Sequence, residues 1–151
     1  MSLEIRGSGI QGYPVFKAAQ NLPQNATSTL YTVTGGAVLV TFMAGLVTTA
    51  LGGTVTSLSL GNTPTGGANA SASLATSAVV TSKAVGTWYV PAWAAGVAGA
   101  PIQGNVVNAN PSTFSAMVPA GVITWTTTAS DTGQMVWYLY FLPLDTGAAI
   151  S

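Results

Sequence analysis

Histidine and cysteine do not occur in this chain, and acidic and basic residues are scarce. Their absence removes the Ser-His-Asp and Cys-His relays, imidazole and thiolate zinc sites, dithiol redox pairs and any disulfide framework. Charged residues make up 4% of the sequence, where about a quarter is usual. They are Glu4, Arg6, Lys17, Lys83, Asp131 and Asp145, so the net charge is zero and the body of the chain is almost uncharged. The 3 basic residues cannot neutralise a run of phosphates, and no nucleic-acid partner is expected. So few charges of either sign make a poor surface for a freely soluble monomer, and much of that surface is expected to lie against a neighbour.

Long helical runs are also missing. The uncharged span Gly35 to Gly53 approaches transmembrane length, and mean hydropathy is +0.50. That span is rich in threonine, glycine and β-branched residues, and no Lys or Arg flanks it to set an orientation, so strands rather than a membrane helix are expected. The opening M-S-L-E-I-R-G-S-G has no apolar run behind a basic start, and no secretory signal is expected.

What is present is strand chemistry in 151 residues, a length that fits one domain. The richest stretch is Val118 to Leu144. Two runs of β-branched and aromatic residues flank Ala129-Ser130-Asp131-Thr132-Gly133, a composition that predicts a hairpin. The second run is apolar on both sides: Met135, Trp137, Leu139 and Phe141 alternate with Val136, Tyr138, Tyr140 and Leu142. A strand with one wet side would alternate with polar residues, so this one lies inside a sandwich or has a side covered by another chain.

Thr29 to Thr34 and Ala37 to Met43, joined by Gly35-Gly36, predict a second hairpin, with a bulge or bend at Gly45. Thr54 to Leu60 predicts a half-exposed strand with Leu58 and Leu60 inward and serines outward. Gly61 to Ser73 reads as a loop; it lacks the lysine of a phosphate-binding loop. Leu74 to Lys83 fits a short helix or a weak strand. Pro91 marks the end of Val85 to Trp93 as an edge, and Ala94 to Pro111 reads as a long small-residue loop with a short strand at Ile102 to Val107.

Residues 1–24 carry half of the charges and two prolines without a sustained period, which predicts an extended N-terminal arm ahead of a single domain at 25–151. The fold class expected is all-β: an antiparallel two-sheet sandwich, jelly roll in type.

D-T-G stands twice, at Asp131-Thr132-Gly133 and Asp145-Thr146-Gly147. Aspartic proteases use this triplet to bring two carboxylates onto one proton. Here both triplets fall in one short span at the two ends of a strand, and Asp-x-Gly is ordinary turn chemistry, so turns are expected and no catalytic residue is assigned. No cofactor or metal site is expected either. The aromatics Trp88, Tyr89, Trp93, Trp125, Trp137, Tyr138 and Tyr140 are candidate core and interface anchors, because such side chains bury much area at small entropy cost, and Trp88, Tyr89 and Trp93 are the candidate platform if the chain binds a glycan.

The segments Leu30-Tyr31-Thr32-Val33-Thr34-Gly35-Gly36-Ala37-Val38, Gly86-Thr87-Trp88-Tyr89, Val118-Pro119-Ala120-Gly121-Val122-Ile123 and Trp137 to Ala148 resemble small virion proteins of tailed bacteriophages. That resemblance covers residues 30–148 in pattern and rests on turn and strand signatures. It implies a non-enzymatic decoration or cement protein on the outer surface of the capsid, with the major capsid protein and further copies of itself, as homodimer or homotrimer, as partners. On this reading Ile5, Tyr13, Phe16 and Lys17 of the arm would lie along a neighbouring subunit. The alternative is a receptor- or glycan-binding module of a tail or head fibre using Trp88, Tyr89 and Trp93. No membrane partner is expected.

Overall fold

In the computed structural model, which describes residues 12–65, 72–91, 100–102 and 115–151, every described element is a strand or a turn. The strands are β1 (Tyr13–Asn21), β2 (Thr27–Thr34), β3 (Val38–Thr49), β4 (Ser57–Pro64), β5 (Ala72–Val79), β6 (Trp88–Val90), β7 (Ala100–Ile102), β8 (Ala116–Val118), β9 (Gly121–Thr127), β10 (Gln134–Pro143) and β11 (Ala149–Ile150). They form two antiparallel sheets. The first runs β1-β10-β3-β6-β7, with β8 also paired to β3; the second runs β11-β2-β9-β4-β5. The all-β, two-sheet sandwich expected from the sequence is the fold observed.

Between the sheets lies one core. Its largest members are Trp125, Trp137, Tyr31 and Tyr89, with Leu30, Met43, Leu58, Leu60, Ile123, Met135 and Leu139 filling around them. Trp137 stands edge-on to Trp125 at 5.7 Å and to Tyr89 at 5.8 Å between ring centroids, the arrangement that ring quadrupoles favour. Gly45 does not make the bulge its glycine predicted. A Cβ there would lie 3.1 Å from the Trp137 ring and 2.8 Å from the Met135 methyl, so glycine is needed to let those side chains cross β3. The irregularities fall instead at Thr41 and Thr48, where the register with β10 shifts between Tyr140 and Phe141 and between Gln134 and Met135.

Both expected hairpins are corrected. β2 and β3 belong to different sheets, and so do β9 and β10. Gly35-Gly36 and the Asp131-Thr132-Gly133 segment therefore carry the chain across the sandwich. Turn residues supply positive φ for a corner as readily as for a hairpin, and both glycines of the first corner use it, at φ 72° and 142°. The described hairpin between long strands is β4 to β5, whose strands run through to Pro64 and from Ala72, shortening the loop expected over Gly61 to Ser73. Leu58 and Leu60 point inward and the serines of β4 outward, as expected. A short strand is observed at Ala100–Ile102, and the one expected at Ile102 to Val107 lies, beyond Ile102, outside the described residues.

The arm expected over residues 1–24 is also redrawn where it is described. Tyr13–Asn21 is the edge strand of the first sheet, in register with β10 from Tyr13 opposite Phe141 to Asn21 opposite Gln134. Leu22 behind it is core. Pro14 sits within this edge strand, the one place in a sheet that tolerates a missing amide hydrogen. The sequence lacked a clean period here because β1 carries a register shift between Lys17 and Gln20.

Candidate functional site: the outward side of the first sheet

Alternation along β10 turns Met135, Trp137, Leu139 and Phe141 into the core and Val136, Tyr138, Tyr140 and Leu142 outward, the two-sided pattern expected, with Val136 already buried beneath its neighbours. Its neighbours continue the outer pattern in register. Phe16 of β1 lies beside Tyr138, which lies beside Ala44 of β3. Pro14, Tyr140 and Phe42 form the next row. Val136, Leu46 and Trp88 of β6 form a third, and Leu142, Leu39 and Met117 of β8 a fourth. No charged residue stands in these rows.

The rings touch along and across the rows. Phe16 and Tyr138 are 5.3 Å apart between centroids, Trp88 and Tyr138 5.6 Å, and Phe42 and Tyr140 6.0 Å. Phe16 is 58% exposed and Met117 75% exposed, while Ala44, in the middle, is already buried by its neighbours. A contiguous outward apolar surface of this kind makes a candidate interaction site, where scattered exposed apolar residues do not.

The other sheet shows the opposite chemistry. Its outward rows read Thr27, Thr126, Ser59; then Thr29, Thr124, Gly61; then Thr32, Val122, Thr63. Thr27 and Thr126 share a hydrogen bond of 2.7 Å between hydroxyls. Although Val122 and the exposed Val79 also stand on this side, its hydroxyls are compatible with water without any charge, so the two sides of the sandwich differ in chemistry.

The candidate residues named from sequence divide accordingly. Phe16 and Trp88 stand on the aromatic side and are brought together through Tyr138. Tyr89, the neighbour of Trp88 in β6, points the other way and is core at 1% exposure, so it is corrected from interface anchor to packing residue. Adjacent positions of a strand face opposite sides, which also separates Trp88 from Tyr89 as a shared stacking platform. Tyr13 is half-exposed at the sheet's rim, its ring 5.8 Å from that of Phe141. Lys17 is corrected too: it turns inward from β1 and holds its ammonium 5.7 Å from the centre of the Tyr31 ring. Ile5 and Trp93 lie outside the described residues. Sequence reading missed Phe42, Leu46 and Met117 as surface residues, while the two-sided apolar pattern of β10 already carried the signal for Tyr138 and Tyr140.

Each D-T-G lies in a connection between strands, and the second forms a turn. The Asp131 carboxylate accepts from the Thr132 amide at 2.8 Å, and the Asp145 carboxylate accepts from the Ala37 amide at 2.7 Å. They sit beyond opposite ends of β10, whose ten residues span about 30 Å, so they do not form a pair that could share a proton. Among the described residues no cluster of acidic side chains is arranged to hold a metal.

Burial raises the phenols of Tyr31 and Tyr89 far above their ordinary range, because the phenolate would lose its hydration. Neither hydroxyl has a hydrogen-bond partner in the core. Since the native chain retains protons that the unfolded chain releases, stability is complete below the ordinary phenol value of about 10 and falls as the pH rises past it. Replacing Tyr89 by Phe removes an orphaned polar atom, so Y89F should be neutral or stabilising by about 1 kcal/mol near neutral pH. It should also lose less stability in alkali. Urea midpoints of the two proteins at neutral and alkaline pH check both signs; a clearly destabilised Y89F would show that the hydroxyl has a partner.

Comparison with protein families, characterised proteins and solved structures finds no match, so the functional reading rests on this surface and on the order of the strands.

Proposed function

We propose that this chain is a non-enzymatic structural protein of a virion, a decoration or cement protein that sits on the outside of a bacteriophage head and ties major capsid subunits together. The observation that carries the proposal is the uncharged aromatic side of the first sheet, an apolar surface suited to being covered by a neighbouring copy or subunit of an assembly. Burial of apolar area between neighbours resists outward pressure from packaged DNA without bond chemistry.

The strand order supports the same reading. β1, β10, β3 and β6 face β2, β9, β4 and β5, and successive strands cross from sheet to sheet except at the β4–β5 hairpin and within the β6 to β8 region. This order fits the jelly roll expected from the sequence, an architecture common in viral capsid and lectin domains. That support is analogy at the level of the fold. The second reading, a glycan- or receptor-binding module of a tail or head fibre, is weakened by the opposed directions of Trp88 and Tyr89.

Purified chain mixed with undecorated heads should co-sediment and saturate at a fixed number of copies per head. Failure to co-sediment at saturating concentration would refute the capsid role, and glycan-array binding without head binding would favour the second reading.

A further inference from the structure

We infer that the aromatic side of the first sheet packs against the same side of a second copy of this chain, forming a two-fold dimer with four sheets in a stack. The inference rests on the surface itself and stands whether or not the partner assembly is a capsid.

Three observations select a second copy as the occupant. The rows from Phe16 to Trp88 and from Leu142 to Met117 contain no charge, so nothing on them repels an identical surface and nothing selects a charged partner. A two-fold interface requires that kind of self-complementarity. The size also fits. The three long strands β1, β10 and β3, about 4.8 Å apart and about 30–40 Å long, with the short β6 and β8 both paired to β3, give a footprint of roughly 600 Å², and the relief of the rings adds to it, against about 800 Å² per partner in a standard interface.

The third observation is that association along the sheet edge is blocked at β1. Pro14 lacks a donor, the register shift between Lys17 and Gln20 interrupts the ladder, and Lys17 is turned inward. These are the devices by which sheets avoid pairing edge to edge, and they direct association to the flat side of the sheet. Sheets packed in this way lie about 10 Å apart, close enough for Phe16, Tyr138, Trp88 and Met117 of one copy to interdigitate with those of the other.

Sedimentation equilibrium of the full chain, 15.1 kDa per copy, tests this. The wild type should behave as a dimer. Phe16→Glu and Met117→Glu, both at exposed positions, should each raise the dissociation constant by roughly a hundredfold or more, because the dimer would bury two unpaired carboxylates. Circular dichroism should show both variants folded. Thr126→Glu, on the hydroxyl side, should leave the dimer intact. A monomeric or trimeric wild type would overturn the inference, as would a dimer insensitive to both glutamates or one broken by Thr126→Glu. A dimer that ignores heads would refute only the capsid role; a monomer that decorates heads would refute only the dimer.

Discussion

Trp137→Ala should remove a large part of the stability of this protein, about 3–5 kcal/mol where domains of this size have about 5–15 in total. Trp137 is fully buried and meets both sheets: Trp125 from the second, Tyr89 from its own, and the bare backbone of Gly45 beneath it. Alanine would leave a hole that β3, fixed in register on both sides of Gly45, cannot close by shifting. The indole nitrogen has no partner, so deleting it recovers some cost and places the loss in the lower part of that range. Urea denaturation at fixed protein concentration measures it. A loss below about 1 kcal/mol would mean that the core is not organised around this ring.

The second large effect concerns the N-terminal segment. Deleting residues 1–24 should abolish folding rather than free the chain from a neighbour. It would strip β1 from the whole length of β10 and remove Leu22, whose side chain is 2% exposed. It would also remove the Gln24 amide that donates to the Asp131 carbonyl at 2.7 Å, and the Pro23 carbonyl that accepts from the buried Thr127 hydroxyl. An uncovered β10 would present an unpaired apolar edge, which is an aggregation template. Soluble expression and far-ultraviolet circular dichroism of the truncated chain report the outcome. A truncated protein that folds and melts like the full chain would show β1 to be dispensable. Deleting 1–11 alone leaves every described contact in place, and is the variant with which any contribution of Ile5 to assembly should be tested.

Both expectations show how far the sequence carries. The strands were legible where alternation was strong: β4 through Leu58 and Leu60, and β10 through its two apolar sides. Which strands pair was not, because Gly35-Gly36 and Asp131-Thr132-Gly133 have the same composition whether the chain doubles back within a sheet or crosses to the facing one. Partner choice is decided by the packed core, where Trp125 and Trp137, each in a strand of a different sheet, meet edge-on. The edge strand β1 was hidden by its own irregularity, since Pro14 and the shift after Lys17 erase the period that marks a strand.

The site was legible in part for the same reason. Low charge predicted a covered surface, and Phe16 and Trp88 were among the residues named for it. Tyr89 could not be separated from Trp88 until the direction of β6 was fixed by pairing with Gly45 and Leu46. Phe42 and Met117 join the surface only through cross-strand register, which no local pattern encodes.

The central claim, that the aromatic side of the first sheet is covered in the assembled protein, is tested most directly by peroxide oxidation of the methionines followed by mass spectrometry. In a lone chain Met117 is 75% exposed, while Met43 and Met135 are fully buried. The account predicts that native Met117 oxidises slowly, close to the rate of Met43 and Met135, and becomes fast in Phe16→Glu. Rapid oxidation of Met117 in the wild type, at the rate of an open side chain, would contradict it.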